Sequence, residues 1–170
     1  MAIDKIQSES INLADTFAFT GTVSGAGGGK VLQVVMGTTS TETRSSSNSF
    51  SDTNLTANIT PSSTSSKILV TVFQNGIDKS AGSTDNKLEL KLLRDSTFLT
   101  SFSNHAAYST TTESMAIGTC GTTYLDSPSS TSQLTYKTQM KSPEGTSNVG
   151  VQGTGSETSV ITLMEIAGWL

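Results

Sequence analysis

From residue 30 onward, apolar side chains recur at every second position inside short runs, which is the pattern of β-strands with one buried face. The most apolar run, KILVTVF at Lys67–Phe73, predicts a central strand covered on both sides. The other runs predict strands at Lys30–Met36, Leu55–Thr60, Leu88–Leu92, Phe98–Phe102, Leu134–Met140, Val149 with Val151, and Val160–Ile166. Nowhere does a helical spacing of apolar residues persist over about 12 residues.

Turn residues separate these runs. Asn75-Gly76 follows the predicted central strand, Pro61 ends another strand, and Ser127-Pro128 and Ser142-Pro143 mark two further breaks. About eight short strands joined by polar turns are typical of an all-β fold. We therefore predict an antiparallel β-sandwich, jelly-roll-like, over residues 30–170.

The first 29 residues have a different pattern, and we predict that they form an N-terminal arm. The arm ends in a glycine-rich hinge, Gly25, Gly27, Gly28 and Gly29, in which Ala26 has the only side chain. Its large apolar residues are spread along a polar segment: Ile3, Ile6, Ile11, Leu13, Phe17 and Phe19. They either pack onto the chain's own sandwich or dock onto another protein. We favour docking and assign these six residues an anchoring role.

The composition excludes several partners and suggests another. Charged residues make up only 14% of the chain and the net charge is −4, which argues against nucleic acid as a partner. No apolar run approaches the roughly 20 residues that span a bilayer, so we expect no membrane insertion. The chain has 28 Ser and 28 Thr. Because solitary domains usually carry about 25% charged residues, we expect a homotrimer in which uncharged, hydroxyl-rich strand faces meet around a three-fold axis.

Reactive side chains are scarce, and we expect no enzyme activity, no cofactor and no metal site. The chain has one cysteine, Cys120, and one histidine, His105, too few for a Cys/His zinc site. We interpret Cys120 as a small buried thiol and His105 as a loop histidine. Four aspartates are expected in turns, where capping is the ordinary role: Asp52, Asp85, Asp95 and Asp126.

Several segments resemble a known group of proteins. The leader SINLADTFAFTGTVSGAGG is similar to the N-terminal segment of appendage proteins of tailed bacteriophages. The segments KVLQVVMGTTSTETRSSS, LTANITPSSTSSKILVTVFQNG and TTYLDSPSSTSQLTYKTQ resemble the bodies of the same proteins, as does the ending SVITLMEIAG. The resemblance covers nearly the whole chain. It implies a jelly-roll domain, usually trimeric, that is attached to the virion by its N-terminal segment, and it offers no catalytic motif.

The resemblance leaves two functions open. The first is a capsid decoration or cement protein on the exterior surface of the virion, bound to the major capsid protein. The second is a short tail fibre or receptor-binding adhesin, bound to a tail component and recognising a host glycan. Long fibres carry shaft repeats, and this chain has none. Sugar sites favour exposed aromatic residues, and the chain has only six Phe, three Tyr and one Trp. We therefore favour decoration.

Overall fold

A computed structural model describes residues 30–82, 84–146, 148–153 and 156–168. These residues form an all-β fold, as predicted. The predicted arm and its hinge lie outside the described residues. The strands, numbered in chain order, are β1 Val31–Thr39, β2 Thr43–Ser45, β3 Ser51–Ile59, β4 Lys67–Asn75, β5 Asp78–Lys79, β6 Asn86–Arg94, β7 Thr97–Ser109, β8 Met115–Ala116, β9 Thr119–Asp126, β10 Leu134–Lys141, β11 Val149–Val151 and β12 Ser159–Ile166.

Eight long strands form the two sheets of a sandwich, and every strand pair is antiparallel. One sheet has the order β1-β12-β4-β9 and the other the order β3-β10-β6-β7. If the eight long strands are numbered 1 to 8 in chain order, one sheet has the order 1-8-3-6 and the other has the order 2-7-4-5. This interleaving is the jelly-roll order, and the predicted fold class is confirmed.

The four short strands form a third sheet with the order β2-β11-β5-β8. They occur directly after β1 and β4 end and directly before β9 and β12 begin. The small sheet therefore closes one end of the sandwich. Sequence patterning did not predict β2, β5 or β8, because strands of two or three residues are too short to show alternation.

The core consists of two apolar clusters between the sheets. The larger cluster contains Leu55, Ala57, Ile59, Ile68, Val70, Val72, Leu92, Leu134, Tyr136, Ile161 and Leu163. The smaller contains Ile77, Leu88, Leu90, Ala106, Ala107, Met140, Val149 and Val151. The alternation predicted for LTANIT, LELKL and LTYKTQM is confirmed, since their inward residues are buried and the residues between them are not. Among the described residues, the partly buried neighbours of both clusters also belong to the sandwich.

Two strand predictions need correction. The prediction that Lys67–Phe73 is covered on both sides is wrong, because its outward side chains lack a cover within the described chain and Phe73 is 53% exposed. Strand β9, Thr119–Asp126, was not predicted, although it completes the same sheet. Its sequence TCGTTYLD mixes Gly, Thr and only a few large apolar residues, so the period-two signal is weak.

Candidate interaction surface

The outer face of the β1-β12-β4-β9 sheet carries three neighbouring cross-strand rows of uncharged residues, with Lys67 beyond them at the start of β4. Pairing places one row at Val34, Met164, Leu69 and Leu125, the next at Met36, Thr162, Thr71 and Thr123, and a third at Thr38, Val160, Phe73 and Gly121. We call these three rows the apolar face. It contains only apolar side chains, threonines and one glycine, and no charged residue.

The apolar face is open to solvent in the described structure. Met36 is 66% exposed, Leu125 58% and Val34 57%. Val31 and Leu32, at the start of β1, are also exposed. Single exposed apolar residues are ordinary on soluble proteins, but a contiguous apolar patch marks a contact site.

The exposed Phe73 lies across from a glycine on the neighbouring strand. Gly121 is its register partner on β9, and a Cβ on Gly121 would lie 3.3 Å from the Phe73 ring. The ring therefore lies over the bare glycine backbone. A large aromatic side chain here covers a gap in the sheet and adds to the flat, uncharged surface.

The outer face of the other sheet is charged. Lys137 Nζ lies 2.9 Å from an Asp52 carboxylate oxygen, and Lys141 Nζ lies 3.0 Å from Glu89. The Lys91 ammonium lies 4.0 Å from the centre of the Phe50 ring, a cation–π contact. The two broad surfaces of the sandwich thus differ in kind, one suited to water and the other to contact with an apolar, uncharged surface.

A buried carboxylate ties the two sheets together beneath the apolar face. Asp126 Oδ2 accepts hydrogen bonds from Arg94 Nη1 and from the Tyr136 hydroxyl, each at 2.6 Å. Its other oxygen accepts from the Ser127 amide at 2.8 Å. Burial, together with the bond to Asp126, raises the pKa of Tyr136 far above its usual range. Tyr136 therefore stays a hydrogen-bond donor at physiological pH, and the group has a structural role.

A second buried carboxylate fixes the end of the same sheet. Glu165 accepts hydrogen bonds from the Ser62 amide at 2.7 Å, from the Ser62 and Ser66 hydroxyls at 2.6 Å each, and from Gln33 Nε2 at 2.6 Å. Burial alone would raise the pKa of Glu165, but the bonds from Ser62, Ser66 and Gln33 outweigh it and lower the pKa to about 2. The carboxylate is fully satisfied and holds β1, β12 and the segment between β3 and β4 together.

The structure changes the interpretation of several reactive residues. His105 lies in β7 rather than in a loop, and it is exposed, with Tyr108 in an edge-on ring contact at 5.7 Å. Cys120 is half-buried on β9, where burial raises the pKa of its thiol. The turn prediction is confirmed for Asp85 and Asp95, which have positive φ, but it is wrong for Asp52 and Asp126, which lie in strands.

The six anchoring residues of the arm and the four hinge glycines lie outside the described residues, so their assignment stays a prediction. Sequence reasoning did not locate the apolar face. Its signal was present, because KILVTVF and VITLMEI are apolar on both faces. Such runs predict burial of both faces, but they do not say what covers the outer one.

Comparison with known protein families gives no match for this chain. Comparison with curated proteins gives none either. In the described part of the chain, no three side chains among His, Cys, Asp and Glu come close enough together to hold a metal ion. The same residues form no helix that could cross a membrane.

Proposed function

We propose that the chain is a structural protein of a phage virion, a decoration or cement protein that projects a trimeric β-sandwich from the particle surface. The observation that carries the proposal is the apolar face, where uncharged side chains remain 53–66% exposed at Val34, Met36, Phe73 and Leu125. A protein that presents such a face requires a partner surface. Its buried carboxylates serve structure, because each is saturated by donors from neighbouring elements.

The virion assignment is supported by the resemblance of the sequence to phage appendage proteins and by its jelly-roll strand order. The jelly roll is common among viral capsid and lectin domains, so the fold alone is compatible with a particle protein and with a sugar-binding protein. In the proposed arrangement the sandwich lies on the exterior of the particle. Residues 1–29 connect it to the major capsid protein or to a tail component.

A second candidate function is a short tail fibre or adhesin that binds a host glycan. A cavity of about 300 Å³ beside the small end sheet supports it, lined by Ser80, Ser114, Met115 and the Arg44–Asp78 pair. Arg44 Nη1 and Nη2 each lie 2.7 Å from a different oxygen of Asp78. Paired charges beside hydroxyls and a methionine offer both polar and apolar contacts to a sugar.

Labelling of virions tests both candidates in one experiment. Antibodies raised against the purified sandwich, residues 30–170, are bound to particles of the phage that encodes the chain and imaged in negative stain. Label over the head supports decoration, and label at the tail tip supports the adhesin instead. Particles that carry no label and no copy of the chain by mass spectrometry would refute both. Antibodies depleted on the purified sandwich provide the control.

A further inference from the structure

We infer that the apolar face is the surface through which copies of this chain meet. The inference rests on the proposed trimer and identifies the residues that build its interface. The face runs without interruption across all four strands of the sheet, from Val34 on β1 to Leu125 on β9. Its middle row contains three adjacent threonines, Thr162, Thr71 and Thr123, whose hydroxyls can exchange hydrogen bonds across a contact.

The charge distribution favours a second copy as the occupant. When copies meet around a three-fold axis, residues close to the axis face their own counterparts, so a charge there meets an identical charge, and such contacts are costly. The three rows contain no charged residue, whereas the outer face of the other sheet carries Asp52, Glu89, Lys91, Lys137 and Lys141. The net charge of −4 is therefore carried elsewhere on the chain, and identical apolar faces can approach without repulsion. An acidic or basic partner would find no complementary charge within the three rows, and a single lysine, Lys67, borders them on β4.

The size of the face favours a ring over a simple pair. A four-stranded sheet is roughly 19 Å wide, and the five residues of strand that the three rows span cover roughly 17 Å, so the face covers about 320 Å² in projection. A stable interface usually buries about 800 Å² on each partner. One face-to-face contact therefore falls short by itself. In a closed ring each copy contacts two neighbours with its face and the adjoining edges, so each copy is held from both sides.

The test uses the full chain and a matched pair of charge variants. Met36→Lys with Leu125→Lys places two lysines at the most exposed positions of the apolar face. Asn58→Lys with Ser101→Lys adds the same charge to the exposed outer face of the other sheet. Mass is measured by native mass spectrometry and sedimentation velocity at micromolar concentration, and far-UV circular dichroism checks the fold of each variant.

We expect a trimer for the unmodified chain and for the Asn58/Ser101 control, and a folded monomer with at least about 100-fold weaker association for the Met36/Leu125 variant. A folded Met36/Leu125 variant that remains trimeric refutes the inference. If the double variant does not fold, Thr123→Lys gives the same test at a single exposed position. Loss of association there, with the fold intact, supports the interface, and unchanged association refutes it.

The main alternative occupant is the chain's own arm, and labelling separates it from a second copy. Thr71→Cys in a Cys120→Ala background places one thiol at the centre of the face. If the thiol of the monomer is shielded from maleimide when residues 1–25 are present, and becomes reactive when they are removed, the inference is overturned. Shielding that is lost on dilution to monomer, with the arm still present, supports it. Neither result depends on the outcome of virion labelling, so the proposed interface and the proposed virion role can be refuted independently.

Discussion

At the scale of single residues, the buried carboxylates explain how a sandwich with few charges is held in register. Glu165 and Asp126 each accept hydrogen bonds from groups on other elements, and neither has an exposed side chain. Neither residue belongs to a recognisable motif. Glu165 lies in an apolar strand, where a charge is unexpected, and its donors Ser62 and Ser66 are ordinary loop serines in sequence. Sequence alone could not pair residues about a hundred positions apart.

Glu165 makes stability depend on pH in a defined window. Its pKa falls from 4.5 in the unfolded chain to about 2 in the folded one, so the folded state favours the ionised form. The resulting stability is present above pH 4.5 and is lost as the pH falls from 4.5 towards 2. We expect Glu165→Gln to be less stable than the unmodified chain at pH 7 and to depend less on pH between those values. Urea unfolding at a series of pH values measures this, and equal pH slopes for the two proteins would contradict it.

At the scale of elements, sequence patterning predicted the strands whose inner residues are large and whose outer residues are polar. Strands β3, β6 and β10 are of this kind, and their inward residues were assigned correctly. Patterning missed β9, whose inward residues include Cys120 and Thr122. It also predicted a cover over the outer face of β4, which the described structure lacks. Alternation reports which side chains avoid water. It does not show whether the surface that covers those side chains belongs to the same chain or to another.

The close approach of β1 and β3 gives a prediction at the same scale. A Cβ on Gly37 would collide with the backbone carbonyl of Thr56, and backbone cannot move aside as a side-chain tip can. Gly37→Ala should therefore push the two sheets apart at this edge and lower the free energy of unfolding by about 1–3 kcal/mol. Asn58→Ala, on the exposed outer face of β3, is the control and should change it by about 0.5 kcal/mol or less. Chemical denaturation measures both, and equal values would show that the sheets can separate freely.

At the scale of the whole molecule, the proposed assembly uses the apolar face for self-association and the predicted arm for anchoring. Burying one large apolar side chain contributes about 1.5–3 kcal/mol, but ordering a free segment costs about 1–2 kcal/mol per residue. One arm with six such residues, Ile3, Ile6, Ile11, Leu13, Phe17 and Phe19, would therefore bind a particle only modestly. In a trimer held by the apolar face, the second and third arms dock at high effective concentration, and attachment becomes strong. In this proposal, self-association and anchoring are therefore coupled.

Removal of residues 1–25 separates anchoring from folding. The apolar core clusters among the described residues are built from side chains of both sheets. We expect the truncated chain to melt cooperatively at a nearly unchanged temperature, to remain trimeric and to lose its ability to join particles. A domain of this size loses about 2–4 °C in melting temperature for each kcal/mol, so calorimetry would detect even one lost apolar contact. If the truncated chain melts without cooperativity, the arm belongs to the core and its anchoring role is wrong.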